Sequence, residues 1–212
     1  MTTIALFGAT GRTGSRVLTR LLDQGHEVCA LVRDAARLRP SQHPALTVVT
    51  GDVMDAAAVR QAVEGADAVL SLFGQVKGSP PRVQTEGTRA IAAAMEDVGV
   101  QRIVSLSGGG LPDPVHDRPK LADRAIRGIM RVAAGQVLDD AADHLHVLEQ
   151  SGLDWTVVRA PRLTEAPGVG RYRVGWVGVD ASTRISRDDL ADFIVTQIDD
   201  RRFVRQLPFV SA

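Results

Sequence analysis

The sequence predicts a single-domain α/β fold over residues 1–212, with a doubly wound, mostly parallel sheet and helices on both faces. Three observations predict it. Short runs rich in Val, Ile and Leu alternate along the chain with longer amphipathic stretches. The runs are almost continuously apolar, which is typical of parallel strands covered on both sides. A glycine-rich turn directly follows the first run and leads into the first amphipathic stretch.

The predicted elements follow one another as successive βαβ units require. Strands are predicted at 3–7, 27–32, 46–50, 68–72, 102–106 and 155–159. Helices are predicted at about 12–24, 55–64, 82–98, 120–150 and 187–199. Asp52 and Asp188 are predicted N-caps, because their side-chain oxygens can accept hydrogen bonds from unpaired N–H groups.

The fourth helix carries an apolar stripe that is predicted to pack in the core. Its members are Leu121, Ile126, Ile129, Met130 and Ala133. If the stripe were exposed, it would indicate a dimer contact, so a monomer and a homodimer both remain open. Asp139, Asp140 and Asp143 of the same helix are predicted to form a solvated acidic face.

Two segments, 108–119 and 161–176, are too rich in Gly and Pro or too irregular to be regular elements. Each follows a strand whose carboxyl end should face the ligand crevice of a parallel sheet. Both are therefore candidate substrate loops, and the alternative for either is a surface connector without a role.

Composition excludes several classes of partner. Twenty-five Lys and Arg balance 25 Asp and Glu, so the basic excess typical of a nucleic-acid or anionic-membrane surface is missing. No apolar stretch is long enough to span a membrane, and the chain starts in a strand without a signal peptide. The single Cys29 is predicted to be buried and reduced, which indicates a cytoplasmic protein. His144 and His146, two positions apart, point to different sides of a helix, and no metal site is predicted.

The glycine-rich turn consists of Gly8, Ala9, Thr10, Gly11, Arg12, Thr13 and Gly14. Gly8 permits a tight turn after the strand, Gly11 lets the backbone approach a pyrophosphate, and Gly14 lets helix and strand pack closely. The N-terminus of the following helix offers N–H groups and a positive dipole end to phosphates. This is the dinucleotide-binding fingerprint of the Rossmann fold, and the alternative is a glycine-rich turn without a ligand.

Arg33 predicts which dinucleotide is bound. It follows the second strand, where an acidic residue would accept the ribose 2′-hydroxyl of NAD and an arginine would pair with the 2′-phosphate of NADP. Arg12 could reach the same phosphate, with Thr10 or Thr13 donating a hydroxyl. The alternative for Arg33 is a solvated surface arginine, and Arg37 and Arg39 are weaker candidates. The sequence therefore favours NADPH.

Further motifs follow the fingerprint in order over nearly the whole chain. They are ALVRDAARL, GDVMDAAAV, GADAVLSLFG, RIVSLSGG, LEQSGLDWTVVRAPRLT and ISRDDLADFIV. Together they resemble the atypical branch of the short-chain dehydrogenase/reductase family, near the biliverdin reductase B/flavin reductases and the NmrA-like NAD(P)H-binding proteins. The resemblance implies NADPH on Gly8–Gly14 and Arg33, and adenine near Asp52 and Val53. It implies that the nicotinamide lies near Phe73, Gly74, Ser107, Gly108, Pro161, Arg162 and Leu163.

The sequence departs from the wider short-chain dehydrogenase/reductase family in the residues that supply the catalytic proton. Typical members use Tyr-x-x-x-Lys, whereas the single Tyr172 has no lysine four residues later. His116 and Lys120 have the spacing, but Pro119 before Lys120 is typical of a first helical turn, which leaves His116 in the loop.

Hydride transfer to a strongly electrophilic conjugated acceptor, such as a flavin, quinone or linear tetrapyrrole, does not need that pair. Ser107 is the predicted catalytic contact to the acceptor, and the alternative is a strand-end hydroxyl bonded to backbone. Two other functions remain open: a non-catalytic NADP-binding regulator of the NmrA-like type, and an epimerase or reductase with a displaced acid.

Overall fold

The computed structural model describes residues 1–76 and 78–212, and in these ranges it has ten strands, five α-helices and one short 3-10 helix, Ala35–Arg37. The strands are β1 (Thr3–Phe7), β2 (Glu27–Val32), β3 (Leu46–Thr50), β4 (Ala68–Ser71), β5 (Arg102–Gly108), β6 (Asp154–Ala160), β7 (Arg162–Thr164), β8 (Arg173–Gly175), β9 (Arg184–Ser186) and β10 (Phe209–Ser211). The helices are α1 (Gly14–Asp23), α2 (Ala56–Val63), α3 (Val83–Val98), α4 (Leu121–Gln150) and α5 (Arg187–Thr196). The predicted doubly wound fold is confirmed.

The main sheet has the order β3-β2-β1-β4-β5-β6-β10-β8, and β7 and β9 form a separate parallel pair. All neighbours in the main sheet are parallel except β10 and β8, which are antiparallel at one edge. The chain runs outward from β1 through β2 and β3, then crosses back to β4. A crevice therefore opens between the carboxyl ends of β1 and β4, where such sheets bind ligands.

Alternate residues of each strand face opposite sides of the sheet, and each side has its own apolar core. Ile4 and Leu6 of β1 pack in one core with residues of α1 and α5 such as Leu18 and Phe193. Phe7 of β1 faces the other side, in a core shared with α2, α3 and the second half of α4. Helices therefore cover both faces, as the continuous apolar strands predict.

Helix α4 is kinked at Ala134, whose φ and ψ of −146° and 36° are not helical. Its second half buries Ala141, His144 and Leu148, but Leu121 and Ile129 of the first half are 83% and 69% exposed. The prediction that the apolar stripe packs in the core is therefore wrong. The kink turns the first half away from the sheet, so periodicity alone did not determine what that half contacts.

The acidic face predicted on α4 is only partly solvated. Asp140 is buried, and its carboxylate accepts the backbone N–H of Gln84 at 3.0 Å and of Thr85 at 2.8 Å. It thus satisfies unpaired N–H groups at the start of α3. Asp139 and Asp143 pair with surface arginines as solvated residues do.

The N-caps of α2 and α5 are not the predicted Asp52 and Asp188. Asp55 caps α2 and Ser186 caps α5. Asp52 instead accepts the N–H of Met54 in a turn, and Asp188 pairs with arginines of α1. Within the described ranges, no helix is both long and apolar enough to cross a membrane.

A buried ion pair holds the irregular segments onto the sheet. Arg159 of β6 is fully buried and donates to both carboxylate oxygens of Asp117, at 2.8 and 3.0 Å. Asp117 also accepts the N–H of Asp113 and of Val177, at 2.9 and 3.0 Å. Arg159 donates further to the carbonyl of Leu111. One carboxylate therefore joins β6, the loop before α4 and the segment after β8.

We expect Asp117→Asn to lower the free energy of unfolding by about 3–5 kcal/mol, because it leaves the Arg159 guanidinium buried without a counter-charge. Urea unfolding measures the loss. Asp97→Asn is the matched control, since Asp97 is 68% exposed and pairs with Arg60 at the surface. A loss no larger than the control's would contradict a structural role for the pair.

Asp117 also determines how the stability of the fold should depend on pH. Burial alone raises the pKa of Asp117, but hydrogen bonds from Arg159, Asp113 and Val177 and the charge of Arg159 outweigh it and hold the pKa below its usual value. The pKa of Asp117 is thus lower in the folded than in the unfolded chain. Its contribution to the free energy of unfolding is therefore complete at pH values above the pKa of the unfolded chain, and it is lost as the pH falls through the pKa of the folded chain. Below about pH 4 the wild-type chain should lose stability more steeply than Asp117→Asn.

Candidate functional site

A cleft of about 250 Å³ opens at the carboxyl ends of β1 to β4, at the crevice that the strand order creates. Many of the predicted cofactor residues line this cleft. They are Gly8, Thr10, Gly11, Arg33, Asp52, Val53, Phe73 and Gly74. Leu31 and Leu72 add apolar surface between them. The cleft therefore combines an apolar wall with backbone and cationic groups, as a dinucleotide site requires.

Close backbone packing explains two glycines of the turn. Gly8 has a φ of +90°, and a Cβ there would lie 2.7 Å from the carbonyl carbon of Leu72. A Cβ on Gly14 would lie 2.1 Å from the oxygen of Gly8. Any side chain at either position would push α1 away from β1 or β1 away from the end of β4. The start of α1 is thereby fixed beside the cleft, where its dipole favours a phosphate.

The cationic groups of the turn divide between two places. Arg33 and Arg37 line the cleft and are exposed. Arg12 is outside the cleft wall, and its guanidinium lies 3.5 Å from Glu165 Oε1. Thr13 is buried and accepts a hydrogen bond from Arg187 at 3.3 Å. The structure thus places Arg33 in the wall of the cleft and Arg12 beside Glu165.

Glu165 is the centre of this second group of charges. It pairs with Arg12, Arg16 and Arg187, and the hydrogen bond from Arg187, together with the charges of the three arginines, lowers its pKa below the usual value. No sequence pattern predicts this contact, because Glu165 lies far from the glycine-rich turn in the chain.

Ser107 carries a buried hydroxyl near the end of β5. In the part of the chain that the structure describes, Ser107 Oγ has no hydrogen-bond partner, so the predicted alternative of a hydroxyl bonded to backbone is not seen. Ser105, on the same face of β5, is instead bonded to His144 Nε2 at 2.9 Å. A buried unpaired hydroxyl is costly, so Ser107 is suited to bonding a bound molecule. This hydroxyl and the glycine cradle fit a nicotinamide dinucleotide.

A second cavity, of about 480 Å³, lies at the carboxyl ends of β5 and β6. Gly108, Ala160 and Pro161 form part of its wall, and Ile126 and Met130 of α4 cover it. Ala160 and Phe209, which also line it, make its interior mainly apolar. Gly74, which lies shortly after β4, lines the first cleft, and Gly108, which ends β5, lines the second cavity. Because β4 and β5 are neighbours in the sheet, the two cavities lie next to each other along its edge.

The walls of the second cavity correspond only in part to the predicted substrate loops. Residues 108–110 and 161–162 line it, but so do 177–183 and the first half of α4. Leu163, predicted beside the nicotinamide, packs against the apolar core instead. A Cβ on Gly110 would lie 3.0 Å from Met130 Cε, so the triple glycine lets α4 approach this loop.

The candidate acids lie away from both cavities. His116 Nδ1 is 2.9 Å from Asp113 Oδ2, and its ring lies 4.9 Å from that of Trp176. Its place in the loop, with Lys120 just before α4, agrees with the prediction that they share no helical face. Tyr172 packs edge-on against Phe193 at 5.8 Å, and burial raises its pKa. In the part of the chain that the structure describes, neither residue lines the wall of either cavity; Ser107 does not either, but Gly108 directly after it lines the second cavity.

A sequence model of NAD(P)H-binding proteins matches residues 8–201. The chain belongs to this family. An uncharacterized protein from Mycobacterium tuberculosis is 38% identical over 110 residues, which are 51% of this chain and 12% of that protein. This chain therefore spans only a small part of the curated relatives that match first. Cinnamoyl-CoA reductase 1 from Oryza sativa is 32% identical over 132 residues, 58% of this chain and 38% of the reductase.

Solved structures show the same fold. A short-chain dehydrogenase/reductase from Veillonella parvula in complex with NADP has a TM-score of 0.82 at 19% identity, covering 100% of this chain and 94% of its own. An anaerobillin reductase from Escherichia coli has a TM-score of 0.79 at 21% identity, covering 99% of this chain and 97% of its own. At such identities the likeness concerns the fold.

We expect Arg33→Gln to weaken NADPH binding about tenfold or more and NADH binding by less than about twofold, because only NADPH has a 2′-phosphate for the guanidinium. Calorimetric titration with each cofactor measures both affinities. Arg39→Gln is the matched control, since Arg39 is exposed but lies outside the cleft wall. Equal losses for the two cofactors would contradict a phosphate contact.

Proposed function

We propose that this protein is an NADPH-dependent reductase that transfers hydride to a conjugated acceptor, such as a flavin, a quinone or a linear tetrapyrrole. The main support is the arrangement of two adjacent cavities, with the unpaired hydroxyl of Ser107 one residue before Gly108, which lines the second cavity. The first cavity has the groups that suit a dinucleotide, and the second is apolar. When bound, NADPH would supply the two electrons and the hydrogen as hydride.

The residues of the chain would position the reactants rather than activate them. Arg33 and the start of α1 would hold the phosphates, and Phe73 and Gly74 would border the ribose. The apolar wall around Ala160 and Pro161 would exclude water from the reacting faces. Ser107 would donate a hydrogen bond to the acceptor, and the one proton needed besides the hydride would come from water.

The proposal of a conjugated acceptor rests on the missing proton donor in the described cavity walls. A simple ketone needs an acid at its oxygen, and the described cavity walls include no Tyr–Lys pair. A conjugated acceptor delocalises the incoming charge, so one neutral hydrogen bond is enough. The reductases among the chain's relatives and structural neighbours support redox chemistry in general, without indicating this acceptor.

The proposal is tested by NADPH oxidation with the purified chain and a panel of one flavin, one quinone and one linear tetrapyrrole. We expect turnover with at least one of them and a preference for NADPH over NADH. Tight NADPH binding without turnover on any acceptor would overturn the proposal and favour the NADP-binding regulator. An enzyme that reduces only simple ketones would favour the displaced-acid alternative.

Two serine variants separate catalysis from structure. Ser107→Ala should lower kcat/KM about three- to tenfold, the value of one neutral hydrogen bond, without loss of stability because the hydroxyl has no partner in the free protein. Ser105→Ala should keep its turnover but lose about 1–3 kcal/mol of stability, because it leaves His144 Nε2 buried and unpaired. Steady-state kinetics and urea unfolding of both variants provide the measurements. The reverse pattern would remove Ser107 from the reaction.

A further inference from the structure

We propose that the acceptor carries an anionic group, such as a carboxylate or sulfonate, which Arg127 and Arg162 bind at the mouth of the second cavity. This inference rests on the proposed function and specifies its substrate class. It also assigns Arg162 to the acceptor, whereas the family resemblance implies a cofactor contact.

The interior of the second cavity suits the conjugated part of such a molecule. Its wall is apolar near Ala160 and Pro161, and Met130 and Phe209 add large apolar side chains. The Phe209 ring is held in place by the Arg159 guanidinium, 5.5 Å from its centroid. A volume of about 480 Å³ is within the range of sites for drug-sized molecules. These features select an aromatic or quinonoid ring system without selecting its substituents.

The charged residues of the wall would select the substituents of the acceptor. Arg127 from α4 is half-buried, Arg162 from β7 is exposed, and both line the cavity. Because long charged side chains keep their charged ends in water, we infer that these two guanidinium groups lie at the cavity mouth. Among residues 1–76 and 78–212, neither has a carboxylate within ion-pair distance. By contrast, Arg159 of the neighbouring strand β6 is paired with Asp117.

Among the described residues, one acidic side chain, that of Asp123, lines this wall, and it is already hydrogen-bonded. Asp123 accepts the backbone N–H of Lys120 at 2.8 Å, where it satisfies an unpaired group at the start of α4. It also lies in the first turn of that helix, where the dipole favours a negative charge. The wall therefore has two available guanidinium groups against one engaged carboxylate. Beside an apolar cavity, where water is partly excluded, guanidinium groups bind anionic oxygens strongly.

The test compares two quinones of similar ring size, neutral 2-methyl-1,4-naphthoquinone and anionic 1,4-naphthoquinone-2-sulfonate, as acceptors with NADPH. Arg127→Gln and Arg162→Gln should each raise KM for the sulfonate about tenfold, as expected for one lost charge-assisted hydrogen bond. KM for the neutral quinone should change by less than about twofold. The sulfonate also changes the reactivity of the ring, so the readout is the variant-to-wild-type ratio for each acceptor.

Arg124→Gln is the matched control, because Arg124 is exposed on α4 but outside the cavity wall. It should leave both KM values unchanged, and the NADPH affinity of all three variants should equal that of the wild type. Equal effects on the two quinones, or none, would overturn the inference while leaving the reductase proposal intact. Weaker NADPH binding in Arg162→Gln, without selectivity for the sulfonate, would return Arg162 to the cofactor and also overturn it.

A further measurement distinguishes failure of the reductase proposal from failure of the anion site. If neither quinone is reduced, calorimetry on the NADP-loaded protein compares the affinity for naphthalene-2-sulfonate among the same variants. Binding that Arg127→Gln and Arg162→Gln weaken and Arg124→Gln does not would support the anion site without the activity. Equal binding by all of them, or no binding to the wild type, would overturn the site as well.

Discussion

The buried pair of Arg159 and Asp117 is the interaction on which the shape of the second cavity depends. A buried ion pair adds little net stability compared with apolar residues of the same size, but an arrangement that separates its charges is costly. The segments that it joins have few strands or helices to hold them. Because Asp117 also accepts the N–H groups of Asp113 and Val177, both segments take one position relative to β6. The pair thus contributes position more than stability.

The first cleft is held by a different means. Gly8 and Gly14 bring backbone against backbone, and no side chain can be added without moving α1 or β1. A dinucleotide phosphate is the same in every reaction that uses it, so a rigid backbone cradle suits it. The acceptor differs from one reductase to another, and side chains on irregular segments can change without disturbing the sheet. The two halves of the proposed site therefore differ in what fixes them as well as in what they contact.

The sequence predicted the parts of the structure that local pattern determines. The parallel strands and the glycine-rich turn were predictable because periodicity and glycine spacing depend on near neighbours in the chain. The three-residue strand β10 was not, since its place beside β6 depends on pairing with residues 50 positions earlier, such as Phe209 with Arg159. The kink at Ala134 and the buried Asp140 were missed for the same reason. The contact between Arg12 and Glu165 was not predictable either, because Glu165 lies 153 residues later.

The exposed first half of α4 connects these observations to the chemistry. Periodicity assigned Ile126 and Met130 to the core, yet in the structure they cover the second cavity, with Arg127 between them. An apolar surface that borders a cavity resembles a core in the sequence, because both favour the same residues at the same spacing. Its arginine is the distinguishing feature, since a core excludes an unpaired charge and a cavity mouth can use one. Interactions with the remote end of an acceptor can orient its reacting end, which would let Ser107 act with a single neutral hydrogen bond.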